Sequence, residues 1–239
     1  MSTFEIFTLI IASAIIQASF QLSVSMVTVM SGHALGKKTA LTRLSSLVSA
    51  FTLGVMTMVA LSVSFSIVVL TNLFDKMPVA AWSIVSGLFV GVGIAVWLFY
   101  YRYRSGGTVL WIPRPIADYL AKRARATRSE PEAFSLGLTS VVGEIVFGGA
   151  PALLAALLLT QLHPTLQLVG LLVYTLVATL PLFLIAMSIA GGTSIARIQR
   201  WRERNKRFLQ FAAGSALIII GMYVYVEMVI VAMASGASL

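Results

Sequence analysis

Glu144 is the residue whose chemistry most needs a reason, because residues 145–196 after it contain no Asp, Glu, Lys or Arg. A carboxylate set in apolar sequence is costly unless it is paired, hydrated or protonated. Ser140 precedes it by one helical turn and shares its face. Gly143, Gly148 and Gly149 leave room beside it, and Pro151 removes a backbone donor just beyond. Such a set suits a carboxyl that takes up a proton or cation, or one that touches a polar solute. The plainer alternative is a protonated acid bonded to a neighbouring helix.

A second polar set lies near the start of the chain. Ser13, Gln17, Gln21 and Ser25 recur every four residues and share one helix face, with Thr28 slightly off the line. Hydrocarbon cannot satisfy amides, so this stripe must look at other protein or at water. In a polar pathway Gln17 and Gln21 would be neutral hydrogen-bonding ligands. The structural alternative is interhelical hydrogen bonding, worth only ~0.6 kcal/mol per bond.

Three residues are candidates for gating. His33, within Ser31–Gly36, carries an imidazole, the side-chain type suited to changing charge near neutral pH, although a lone interfacial His is more often a polar cap. Pro151 and Pro181 interrupt helix hydrogen bonding, and Pro181 follows Tyr174, Thr175 and Thr179. The ridge Ser83, Gly87, Gly91, Ala95 predicts close helix packing inside the bundle, with a homodimer contact as the alternative. Gly214 and Gly221 carry the same packing signature, and Glu227 lies close enough to a span's end to reach water.

Several chemistries are absent from the sequence. There is no cysteine, hence no disulfide, thiolate metal site or thiol redox couple. No glycine-rich phosphate loop accompanies a lysine. Two histidines and no clustered carboxylates give no basis for zinc, a di-metal centre or bis-His haem. The expectation is a protein without cofactor or metal, and not an enzyme.

The elements that position these residues follow from composition. Of 239 residues, 59% are hydrophobic and 10% charged, against about one-quarter charged in soluble domains. A helix needs about 20 apolar residues to cross the hydrocarbon. Runs without Asp, Glu, Lys or Arg cover 6–36, 44–74, 77–101, 145–196 and 208–226. The long fourth run divides at Gln161, His163, Pro164 and Thr165, where proline disfavours helix. Six spans result, near 5–30, 44–70, 79–101, 134–160, 165–190 and 208–232. At 1.5 Å per residue from a start near Phe134, Glu144 sits roughly 15 Å deep, close to the midplane.

Sixteen of the seventeen basic residues fall in odd-numbered connections; only Lys76 does not. Those connections are therefore expected in the cytoplasm, with both termini outside a cell (inner or plasma) membrane. The net charge of +9 is thus a topology signal and not a nucleic-acid footprint. Trp97, Tyr100, Tyr101 and Tyr103 mark one interface and Trp82 the other. Within the basic connection 104–133, residues 117–127 read equally as a basic amphipathic helix on anionic lipid headgroups or as a solvated loop.

The whole chain reads as one membrane domain. Residues 1–103 and 134–239 would each hold three helices entering from opposite sides, an inverted-topology repeat. Three passages carry a family resemblance: Met26–Lys38 (MVTVMSGHALGKK), Tyr174–Ala186 (YTLVATLPLFLIA) and Phe208–Val224 (FLQFAAGSALIIIGMYV). Phe134–Leu158, with Gly137 and Ala150-Pro151, adds a fourth. They resemble the lysine-exporter superfamily, which includes the cytochrome c biogenesis thiol–disulfide transporters. The resemblance implies six spans in two inverted halves and an export-type scaffold. The redox cysteine that those thiol transporters carry in each half is missing, so disulfide exchange is not implied.

The expected function is secondary export of a small polar or ionic solute by alternating access, bound by Gln17, Gln21, Ser25, Ser140 and Glu144. The alternative is a membrane assembly factor or scaffold subunit.

Overall fold

The computed structural model describes residues 1–20, 27, 38–74, 78–101, 114–190 and 204–234. Gln21, Ser25 and His33 lie outside the described residues. Every described element is a helix: α1 (Thr3–Ser19), α2 (Lys38–Phe74), α3 (Pro78–Ala95), α4 (Arg114–Ala126), α5 (Glu130–Gly143), α6 (Ile145–Thr160), α7 (Pro164–Ala190), α8 (Lys206–Tyr225) and the short α9 (Val231–Ala234).

Local chemistry sets the ends. The Ser2 hydroxyl accepts the Glu5 N–H while the Glu5 carboxylate accepts the Ser2 N–H, a capping box that starts α1. Glu132 reaches back in the same way to the N–H groups of Arg128 (2.8 Å) and Ser129 (3.4 Å) and starts α5. Pro164 opens α7 after α6 stops at Thr160, as the polar Gln161–Thr165 segment predicts. Two helices loosen into π geometry at their C-terminal ends, α3 over Val96–Tyr101 and α8 over Val226–Ile230.

Among the described residues, four helical stretches are long and apolar enough to cross a membrane: Arg43–Phe74, Val79–Phe99, Pro164–Ser188 and Arg207–Ala234. The pair α5 and α6 makes a fifth if its two arms are one span. The described residues thus show four such spans, or five with the bent pair, of the six expected. Helix α1 is apolar but only 17 residues long, and most of the rest of the expected span 5–30 lies outside the described residues. The expected span 134–160 is corrected more sharply: it bends by 87° between α5 and α6.

The exterior is that of a membrane-embedded bundle. Phe65 (70% exposed), Met187 (71%) and Ile219 (67%) stand outward on different helices. An apolar surface of this kind matches lipid and would aggregate in water. Inside, Ile10, Phe51, Phe89, Leu154, Leu158, Tyr174, Leu182 and Leu217 are fully buried.

Glycines decide where helices meet. Helices α2 and α5 cross so closely that a Cβ on Gly54 would strike the Phe134 carbonyl, and one on Gly137 the Phe51 carbonyl. Helix α3 runs against α8. A Cβ on Gly93 would come 2.7 Å from Ile218 and 2.9 Å from the Gly214 carbonyl, and the rings of Trp97 and Phe211 stack at 5.6 Å. Gly214 and Gly221 thus pack as expected. The ridge of Gly87 and Gly91 does not: both face open space, because the neighbouring face with Gly93 meets α8 instead. Helix α1 lies on α6 and α7, while α2 touches α5, α6 and α7.

Candidate functional site

Glu144 is the joint between α5 and α6. Its backbone (φ −90°, ψ 0°) leaves the helical region, and its N–H turns back to the Val141 and Val142 carbonyls. Its carbonyl then accepts from Phe147 (3.1 Å) and Gly148 (2.8 Å), starting the next helix. Gly143, just before the joint, costs about 1 kcal/mol relative to alanine inside a helix and so favours a break there. The Glu144 side chain is buried, at 7% exposure. Pro151 was the expected break, yet it sits inside α6 seven residues later.

Ser140 is one turn before the joint, fully buried, and donates to the Gly137 carbonyl at 2.8 Å. From α1, Ser13 donates to the Pro151 carbonyl at 2.8 Å, tying α1 to α6. Gln17, one turn along the same face, is also buried. It lies against α6, within 3.8 Å of where a Cβ on Gly148 would stand. Its amide oxygen accepts the hydroxyl of Tyr174 from α7. Among the described residues no hydrogen bond engages the Gln17 amide nitrogen.

The end of α1 meets the joint as well. Phe20 has nearly the same backbone as Glu144 (φ −92°, ψ 0°), and its N–H likewise returns three residues, to Gln17. Its ring stacks on Phe147 at 5.6 Å, three residues past Glu144. Two helix ends therefore come together, with buried Ser13, Gln17, Ser140, Glu144 and Tyr174 around them.

Of the residues singled out by sequence, the structure brings Gln17, Ser140, Glu144 and Pro151 into one region. Pro181 lies further along the unbroken α7, half-buried. Tyr174 is the contributor that residue spacing did not assign to the site. Its helix shows no polar stripe; only the pairing with Gln17 reveals it. Among the described residues no group of three His, Cys, Asp or Glu could hold a metal ion. The arrangement offers one carboxyl, one amide and three hydroxyl-bearing side chains, suited to hydrogen-bonding a small polar species or holding a proton.

Comparison with known proteins finds no matching family model, no matching curated protein and no matching solved structure.

Proposed function

We propose that this chain is a small secondary transporter that carries a polar or ionic solute, with Glu144, Ser140 and Gln17 contacting the solute or coupling ion. One observation carries the reading. A membrane-length apolar segment is broken by 87° at a buried carboxyl, and the end of α1 meets that break. Helices interrupted at mid-membrane expose polar backbone and helix-end dipoles where hydrocarbon would forbid them, which is how many secondary transporters build solute sites. Protonation of Glu144 is the simplest coupling step in this scheme.

The same scheme takes the chain as six spans in two inverted halves, α1–α3 and α5–α8. Corresponding features support it. Each half opens with a Ser–Glu cap (Ser2 and Glu5, Ser129 and Glu132). Each first helix ends at a residue near φ −90°, ψ 0° (Phe20, Glu144), and each last helix ends in a π segment. Exchange of halves maps the contact of α1 with α7 onto that of α2 with α5 and α6, and leaves α2 with α7 and α3 with α8 unchanged. The basic connections would then face the cytoplasm, with both termini outside. The likeness to the lysine-exporter superfamily belongs to this reading.

A solute-sensitivity screen of a strain lacking the protein tests it. Wild type should restore the altered phenotype, while Glu144→Gln, present in the membrane at equal level, should not. Full restoration by Glu144→Gln removes the carboxyl from the mechanism.

A second reading, a scaffold subunit of a larger membrane complex, rests on Gly87 and Gly91, whose open face could seat another protein's helix. It predicts co-purification of that partner, lost on substituting those glycines, with no solute phenotype.

A further inference from the structure

Helix α4 has an apolar stripe, but the stripe is already used. Leu120 and Ala124 are buried, and α4 packs on α5. What remains between the two helices is a crevice of about 170 Å³, lined by Tyr119, Arg123, Thr127, Glu132, Ser135 and Thr139.

Two of these groups carry opposite charge: Arg123 is near enough to help the Arg128 N–H hold the Glu132 carboxyl low, without a direct ion pair between them. The Arg123 guanidinium has no hydrogen bond among the described residues. Glu132 uses one oxygen, Oε2, for the Arg128 and Ser129 N–H groups, which leaves Oε1 over. The hydroxyls of Tyr119 and Ser135 are likewise not engaged among the described residues. Thr127 and Thr139 spend their protons on backbone carbonyls four residues back and keep lone pairs to offer. A guanidinium fork fits phosphate, and a carboxylate oxygen with hydroxyls around it fits a primary ammonium.

The crevice also has a direction. Ser135, Thr139 and Val142 follow one another at i, i+4 and i+7 on the exposed face of α5, so the polar lining runs onto apolar surface, Val142 being 50% exposed. A ligand with a zwitterionic head and an acyl tail matches both parts.

We propose that the α4–α5 crevice binds the headgroup of an aminophospholipid of the phosphatidylethanolamine class, phosphate on Arg123 and ammonium on Glu132, with an acyl chain along α5. Choline headgroups cannot donate the ammonium hydrogen bonds, and phosphatidylglycerol has no cation to offer Glu132.

The test uses the full chain in nanodiscs containing phosphatidylethanolamine, phosphatidylcholine and phosphatidylglycerol, with bound lipid counted by native mass spectrometry. Phosphatidylethanolamine should be enriched. Arg123→Gln and Glu132→Gln should each reduce the enrichment about fivefold, the scale of one partly exposed ion pair. Glutamine keeps the capping position at 132, so the fold is retained. Lys122→Gln, outside the crevice lining, should change nothing. Preferred retention of phosphatidylglycerol, or equal retention of choline lipid, overturns the proposal. So does unchanged enrichment in both crevice variants. Displacement of the lipid by soluble O-phosphoethanolamine at matched concentration would assign the crevice to a free zwitterion and overturn the lipid.

Discussion

Tyr174 on α7 gives its phenolic proton to the amide oxygen of Gln17 on α1, joining helices 157 residues apart in the chain. Both side chains are buried. The bond fixes the angle at which the amide faces Gly148 and the Glu144 joint.

Tyr174→Phe should therefore act on geometry and on stability together. Interhelical hydrogen bonds in membranes average ~0.6 kcal/mol and reach ~1.7 kcal/mol, so a loss of about 0.5–1.5 kcal/mol is expected in reversible unfolding from detergent micelles. Gln17→Leu should cost a similar amount. The double variant should cost less than the two single losses combined, because neither leaves the other's group stranded. Strictly additive losses would show that the pair contributes no coupling.

The crossing of α2 and α5 makes a sharper claim. At Gly137 the obstruction to a Cβ is the Phe51 carbonyl, which is backbone and cannot rotate away. Gly137→Ala should force the helices apart and cost about 1–3 kcal/mol. Gly91→Ala should be neutral or slightly stabilising, since nothing lies within 4 Å and alanine is the better helix former by about 1 kcal/mol. Melting temperatures of the two variants check this. Equal effects would mean that Gly91 is packed against something in the membrane.

These glycines show how much the sequence discloses. Runs without charge bound α2, α3, α7 and α8 to within a few residues, because the cost of charge in hydrocarbon is written directly in composition. Residues 117–127 read equally as an amphipathic helix or a solvated loop, and they form helix α4. That its stripe of Leu120 and Ala124 docks on α5 and not on lipid is not legible, since apolar surface looks the same to either. Hydropathy also carries no direction, so Phe134 to Thr160 reads as one helix although it turns at Glu144. Pro151 is the residue that propensity marks as a breaker, yet it lies inside the continuous α6. Gly87 and Gly93 differ only in angle around α3, and angle cannot be read without knowing where α8 lies.

Glu132 predicts a pH dependence for the start of α5. The backbone N–H of Arg128, donated to its carboxylate, is the main cause that holds its carboxyl below the usual carboxylate range. The stabilisation is thus complete above the ordinary carboxylate value and disappears as pH falls through the lower, folded one. Amide exchange at Arg128 and Ser129 should accelerate across that acidic window after correction for intrinsic rates. In Glu132→Gln, whose amide oxygen still accepts but does not titrate, the acceleration should vanish. An unchanged profile in that variant would assign the effect to another group.

The absence of cysteine lets orientation be tested cleanly, because any single introduced thiol is the only one in the chain. If basic connections lie in the cytoplasm, Ser2→Cys and Gln161→Cys should react with a membrane-impermeant maleimide in intact cells. Both sites flank helix ends outside the basic connections. Lys122→Cys, exposed on α4, should react only after the membrane is opened. The comparison also addresses the span count. Ser2 and Gln161 on the same side as each other, opposite Lys122, require an odd number of crossings between residues 2 and 122 and between 122 and 161. With α2 and α3 as the full-length candidates between residues 2 and 122, that parity makes residues 1–37 a crossing in their own right and makes the bent α5–α6 pair another. Labelling of Ser2 on the same side as Lys122 would remove the first crossing and with it the inverted repeat.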